Sequence, residues 1–241
     1  MREMHIGREP QSGRLMHRKI SFAVVALVFT CLPCAAAAAP KVHAVTFGKW
    51  TAVQRPAATE DGKPVAFKVR ALIVDSRVKE YTYGATHEIT DRLFVVQRAF
   101  RINDSLPDEA TLRWQWQPGG WLMVDRLTGR ISPLPLPEFD SVYSAASWYR
   151  DYAAYCGLAD DGKRLYAVVA QIGRRKPVLK KLISNEGARD SGPACPAPPW
   201  QRLPVRVSFE PPTGAKQTFA IRGRIVDVVN DEDDDEEPGS N

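Results

Sequence analysis

Histidine and cysteine are scarce in this chain, four of each in 241 residues. His5, His17, Cys31 and Cys34 fall within the first 38 positions, which leaves His43, His87, Cys156 and Cys195 for the remainder. Two histidines make a thin basis for a zinc centre or for a Cys–His pair, and no G-x-S-x-G stretch supplies an activated serine. Long apolar runs are also missing. A membrane-spanning helix needs about 18 apolar residues, and the longest run here, Ile20 to Leu32, has 13. No segment recurs at a regular period, so nothing marks the chain as a repeat array.

The residues that are present at the N-terminus point to a compartment. Met16-His17-Arg18-Lys19 is basic, Ile20 to Leu32 is apolar, and Ala35 to Ala39 is a small-residue stretch ending at Pro40. Basic, apolar and A-x-A regions in that order are the layout of a secretory signal peptide. We expect a leader over 1–38, cleaved after Ala38, with Met16 as an alternative initiator because residues 1–15 are polar. The expected location is periplasmic or secreted, with no membrane span after cleavage. Cys31 and Cys34 form C-L-P-C, a spacing used by redox pairs, but inside the leader they are discarded with it.

Without the leader, 28 Lys and Arg face 26 Asp and Glu, and seven of those acids lie in Asp231 to Glu237. The rest of the chain is therefore basic, by nine charges. A basic body with an apolar-free acidic end predicts an ordered domain over 39–229 and a disordered acidic tail over 230–241. Cys156 and Cys195 are the two cysteines of the mature chain. An even pair in an oxidising compartment predicts a disulfide.

The body reads as strands. Val65 to Asp75, Arg92 to Ile102, Leu112 to Gln117, Trp121 to Leu127, Arg164 to Gln171, Pro177 to Ile183, Leu203 to Phe209 and Gln217 to Val229 are short and rich in β-branched and aromatic residues. Pro118-Gly119-Gly120, Thr128-Gly129, Asp161-Gly162 and Thr213-Gly214 are expected to turn hairpins. Nineteen prolines argue against long helices. Ser141 to Tyr155 reads either as a helix or as a bend entering a strand, and the hairpin turn that follows favours a strand for its second half. The expectation is a mainly β protein, one antiparallel domain built as a sandwich, a barrel or a partial propeller, with few or no helices beyond the leader.

From Trp121 to Ile183 a strand ending in Asp and Thr-Gly is followed by another strand, an Asp-Gly-Lys turn and a further strand. This rhythm resembles that of β-propeller blades, although a complete ring needs four or more blades of about 40 residues. The chain also resembles secreted bacterial proteins of uncharacterised role, a likeness that implies no function.

Several motifs begin and stop. Gly157, Gly162 and Lys163 have P-loop spacing, but Arg164 replaces the magnesium-holding hydroxyl and a strand follows where a helix is needed. The expectation there is a hairpin turn and no nucleotide. His87-Glu88-Ile89-Thr90-Asp91 starts as H-E-x-x-H and ends in Asp, so no metal is expected. Trp114 and Trp116 share one strand face, and a hairpin at Pro118 to Gly120 would bring Trp121 opposite; the three rings either pack in a core or form a platform for sugars. Arg174-Arg175-Lys176 reads as an exposed basic hairpin tip able to meet a polyanion. Asp125, Asp140 and Asp151 are candidate acids with no spacing that ties two together, and no catalytic residue or cofactor is assigned. The function expected is that of a non-catalytic envelope protein acting by interaction with a polyanion, a glycan or a protein. A glycan- or polyanion-binding module and a carboxylate hydrolase are the alternatives.

Overall fold

The computed structural model describes residues 42–55, 64–186, 194–222 and 225–229. The leader, the acidic tail, and Cys31 and Cys34 lie outside the described residues. The chain divides into two units, Met1–Ala39 and Pro40–Asn241, and everything described lies in the second. The described residues form fifteen strands and no helix, all in antiparallel sheets.

The first sheet has seven strands: β1 (Val45–Phe47), β2 (Thr51–Arg55), β3 (Val65–Val74), β4 (Arg77–Glu88), β5 (Leu93–Asn103), β6 (Trp114–Asp125) and β7 (Ile131–Leu134). They run in the order β1-β3-β4-β5-β6-β7, with β2 sharing the edge of β3 beside β1. Asp75 and Ser76, at φ 50° and 64°, turn β3 back so that Val74 pairs with Arg77. Two consecutive left-handed residues are the hairpin turn whose twist matches the strands it joins. One face of the sheet carries Leu72, Phe94, Val96, Leu122 and Val124, packed with Val45, Phe47 and Ile131. The sheet curls until β2 comes within 8 Å of β6. At the other end a Cβ on Gly129, in the β6–β7 turn, would sit 2.8 Å from Val74 Cγ1.

Pro118-Gly119-Gly120 does not turn a hairpin. Strand β6 runs through it from Trp114 to Asp125. Ala99 pairs with Pro118 and Gln97 with Trp121, so two residues of β6 stand against one of β5, which is a β-bulge. The Gln97 side-chain amide donates to Gly119 O at 3.1 Å and satisfies a bulge carbonyl. The extra residue shifts the alternation, so Trp114, Trp116, Pro118 and Trp121 all face the side away from the rolled core.

The second sheet contains β8 (Ser147–Tyr149), β9 (Tyr152–Leu158), β10 (Leu165–Gln171) and β11 (Leu179–Ser184), in the order β11-β10-β9-β8. The third is a meander of β12 (Trp200–Arg202), β13 (Val205–Phe209), β14 (Gln217–Arg222) and β15 (Ile225–Val229). The stretch expected as one strand from Gln217 to Val229 is thus two, paired from Arg222–Ile225 outward. Ala154, Cys156, Leu165, Ala167 and Val169 of the second sheet pack on Val207, Phe209, Phe219 and Ile221 of the third. On the opposite face of the second sheet, Ala153, Tyr155, Val168 and Ala170 meet Leu136, Phe139, Ala146 and Trp148. Burial on both faces explains why β9 and β10 are almost unbroken apolar runs. The second half of Ser141 to Tyr155 is strand, and its first half is irregular.

Cys156 on β9 is disulfide-bonded to Cys195, with Cα atoms 6.1 Å apart, inside the range a disulfide requires. Beside it, the irregular strap 135–146 crosses the second sheet. Tyr155 Oη donates to Pro137 O at 2.6 Å and Leu158 N to Glu138 O at 2.9 Å.

Candidate functional site

Pairing places Val69, Tyr83, Gln97 and Trp121 side by side across β3, β4, β5 and β6, on the face away from the rolled core. Phe67 meets Tyr83 edge-on at 5.6 Å. The strap and the start of β8 cover part of this face. Asp140 Oδ1 accepts from Val142 N at 2.7 Å and Tyr143 N at 3.0 Å, which fixes the turn there. Ser144 Oγ donates to Cys156 O at 2.7 Å, Ala194 N donates to Tyr143 O at 2.7 Å, and Ser147 Oγ donates to Pro198 O. The covering segment is therefore tied to both sides of the disulfide.

Trp148 projects from this cover onto Trp121, ring centres 5.0 Å apart, and stacks on His87 at 5.7 Å. His87 Nε2 lies 2.8 Å from Arg150 O; a carbonyl only accepts, so Nε2 carries the proton. Both indole nitrogens are buried with no hydrogen-bond partner among the described residues.

Between the aromatic face and the cover lies a cavity of about 550 Å³, a size that takes small organic ligands. Phe67, Tyr83, Trp121 and Trp148 wall it, together with Val142 and Ala145 of the strap. Exposed Val65 and Gly84 form part of its rim. Among the described residues, no aspartate or glutamate lines it. Arg55, at the end of β2, does line it, and among the described residues it makes no ion pair. Burial pushes the Tyr83 hydroxyl far above its ordinary range, an effect that the nearby Arg55 charge only partly opposes. Tyr83 therefore remains a hydrogen-bond donor.

The residues singled out from sequence are dispersed. Trp121 is 7% exposed and belongs to the cavity wall. Trp114 is 55% exposed, while Trp116 is half-buried and packs edge-on against Tyr81 at 5.2 Å. Arg101 lies over the Trp116 and Trp114 rings, at 5.4 and 6.0 Å. Arg174, Arg175 and Lys176 are exposed at the β10–β11 turn, on a different sheet from the tryptophans.

The candidate acids serve local structure. Asp125 takes a two-point contact from Arg92 and accepts from the turn amides of Leu127 and Thr128, which holds its carboxyl well below the usual range. Asp140 fixes the strap turn, and Asp151 accepts from Gln171 Nε2 at 2.8 Å. His87 to Asp91 covers the end of β4 and its turn into β5, where Thr90 Oγ1 accepts from Leu93 N at 3.0 Å. Among the described residues, no three His, Cys, Asp or Glu side chains group as a metal site would require.

The P-loop spacing has a structural reason. The segment is the β9–β10 hairpin, with Gly162 at φ 69° in its turn. Gly157 lets the strap pass, since a Cβ there would meet Glu138 Cβ at 2.8 Å and Val168 Cγ2 at 2.9 Å.

Sequence reasoning missed Arg55, Phe67, Tyr83 and Trp148 as one group. Only the aromatic content of Tyr81 to Tyr83 and Trp148-Tyr149 hinted at it, and their pairing partners are far away in the chain.

No protein-family model matches the chain, and neither a curated protein nor a solved structure matches it at a significant level.

Proposed function

We propose that the protein is an exported, non-catalytic binding protein whose working site is the cavity between the aromatic face of the seven-stranded sheet and the strap 141–148. The cavity is the observation that carries this reading. Among the described residues it joins largely apolar walls to one arginine without an ion pair, the usual make-up of a site that holds a small molecule. The disulfide supports an oxidising compartment, as does the signal-peptide layout of the N-terminus. Among the described residues no helix is long and apolar enough to cross a membrane.

A thermal-shift screen of small molecules tests the proposal, because a ligand that binds only the folded state raises Tm. Truncating Trp148 would confuse binding with stability, as removing so large a packed side chain costs about 3–5 kcal/mol. Ala145→Trp, which fills the cavity from its half-buried wall, is the cleaner variant. Ligands should raise Tm in the wild type and not in Ala145→Trp. A screen without hits, or hits that shift both proteins equally, contradicts the proposal.

One observation favours a second reading: exposed Trp114, with Arg101 over its ring, is a surface on which a sugar can stack. In the same screen, a glycan whose effect survives Ala145→Trp and disappears in Trp114→Ala would bind there instead.

A further inference from the structure

We infer that the cavity takes an amphipathic carboxylate, a molecule with one acidic head and an aliphatic or aromatic body, its head at Arg55 and Tyr83 and its body against the wall that Phe67, Trp121 and Trp148 form. The inference rests on the binding-protein reading and names its ligand class. Four features of the wall select this chemistry.

The first is the sign of the charge. Among the described residues, Arg55 is the one arginine that lines the cavity, and neither lysine nor a carboxylate does. A cationic ligand would meet Arg55 with nothing to offset the repulsion, whereas an anion supplies the partner that Arg55 lacks among the described residues. The second is the direction of hydrogen bonding at that end. The Tyr83 O–H is a donor kept protonated by burial, and a guanidinium can only donate. Two donors on one cavity wall, near enough for the Arg55 charge to act on Tyr83, match the two oxygens of a carboxylate, and charge-assisted contacts of this kind are the strong ones.

The third is the number of cationic groups. One fixed positive charge suits one acidic head, and a polyanion would leave its remaining charges against apolar rings. The Nε2 of His87, which also lines the cavity, is already engaged with Arg150 O. The fourth is the body of the cavity. Phe67, Val142, Ala145, Trp121 and Trp148 offer methyl groups and ring faces, and of the polar side chains beside them Gln97 already donates to Gly119 O, Ser144 to Cys156 O and Ser147 to Pro198 O. Thr86 and Ser141 offer too few partners for the many hydroxyls of a free sugar, and each buried unpaired group is costly.

Isothermal titration of the full mature protein with hexadecanoate, hexadecan-1-ol and hexadecyltrimethylammonium, each below its aggregation concentration, tests the inference. Hexadecanoate should bind at least about tenfold more tightly than the alcohol, as expected for a charge-assisted contact, and the cation should bind weakest. Arg55→Ala should weaken hexadecanoate about tenfold and leave the alcohol unchanged; Tyr83→Phe should weaken hexadecanoate by a smaller factor. Equal affinity for acid and alcohol, or no effect of Arg55→Ala, overturns the ligand class. If that happens while Ala145→Trp still abolishes binding, the cavity remains the working site and only the ligand class falls. If Ala145→Trp leaves binding intact, or if none of the three probes binds, the inference fails outright.

Discussion

Gly157 shows how one residue can imitate a motif for reasons unrelated to it. Its position before Gly162 and Lys163 copies nucleotide-binding spacing, yet what it provides is room: the strap backbone and Val168 crowd the place where a side chain would begin. Gly162 has open space around it and is needed for its positive φ. The two glycines therefore respond differently to alanine. Gly157→Ala should cost about 1–3 kcal/mol, the range for overpacking a filled interior, because the obstructing atoms include Glu138 Cβ and O. Gly162→Ala should cost about 1 kcal/mol, the lower end of the penalty for a Cβ in the left-handed region, with no steric clash added. Urea unfolding of the two variants checks this, and a larger loss for Gly162→Ala would refute the steric account. The role of Gly162 was legible from its turn dipeptide; that of Gly157 was not, since the close approach of Glu138, distant in the chain, leaves no local mark.

At the scale of elements, the disulfide connects the second sheet to the chain entering the third. Cys156 is followed at once by Gly157, and its carbonyl accepts from Ser144 of the cavity cover. Cys195 is next to Ala194, whose amide donates to Tyr143 of the same cover. Closing a loop of 39 residues stabilises a fold by about 4 kcal/mol in the chain-entropy model. For a domain of this size, that corresponds to roughly 8–16 °C in Tm. We expect a Cys156→Ala, Cys195→Ala double variant to melt lower by that amount and to lose cavity binding before it unfolds, followed by calorimetry and by the thermal-shift response to ligand. A variant with unchanged Tm would contradict the assignment.

The elements also show what was legible in sequence. The β9–β10 hairpin was readable because a turn dipeptide sits between two apolar runs, both buried on two faces. Strand β4 was not, because Arg77 to Glu88 alternates tyrosines with charged and small residues and has no run of aliphatic side chains. Pro118-Gly119-Gly120 was misread because a bulge and a turn use the same residues. Only the register against β5 separates them, and that is a long-range fact. The grouping of Trp114, Trp116 and Trp121 on one face was anticipated, but the reason was the bulge rather than a hairpin.

The whole molecule sets a rolled sheet, with its own core, against a strap that rests on a two-sheet sandwich. The strap is apolar toward both, through Phe139 and Ala146 on one side and Val142 and Ala145 on the other. Where it does not fill the space above the sheet, the cavity remains. All-β character followed from short β-branched segments and turn dipeptides, and the paired cysteines were plain from their number. The cavity was not, because Arg55, Tyr83, Trp121 and Trp148 belong to four strands, and only the folded register assembles them. The central claim is that this assembly is the working site. A crystal structure of the protein grown with saturating hexadecanoate is the direct measurement. The account predicts the alkyl chain along the wall of Phe67, Trp121 and Trp148 with its carboxylate at Arg55 and Tyr83; an empty cavity, or a ligand seated elsewhere on the molecule, would contradict it.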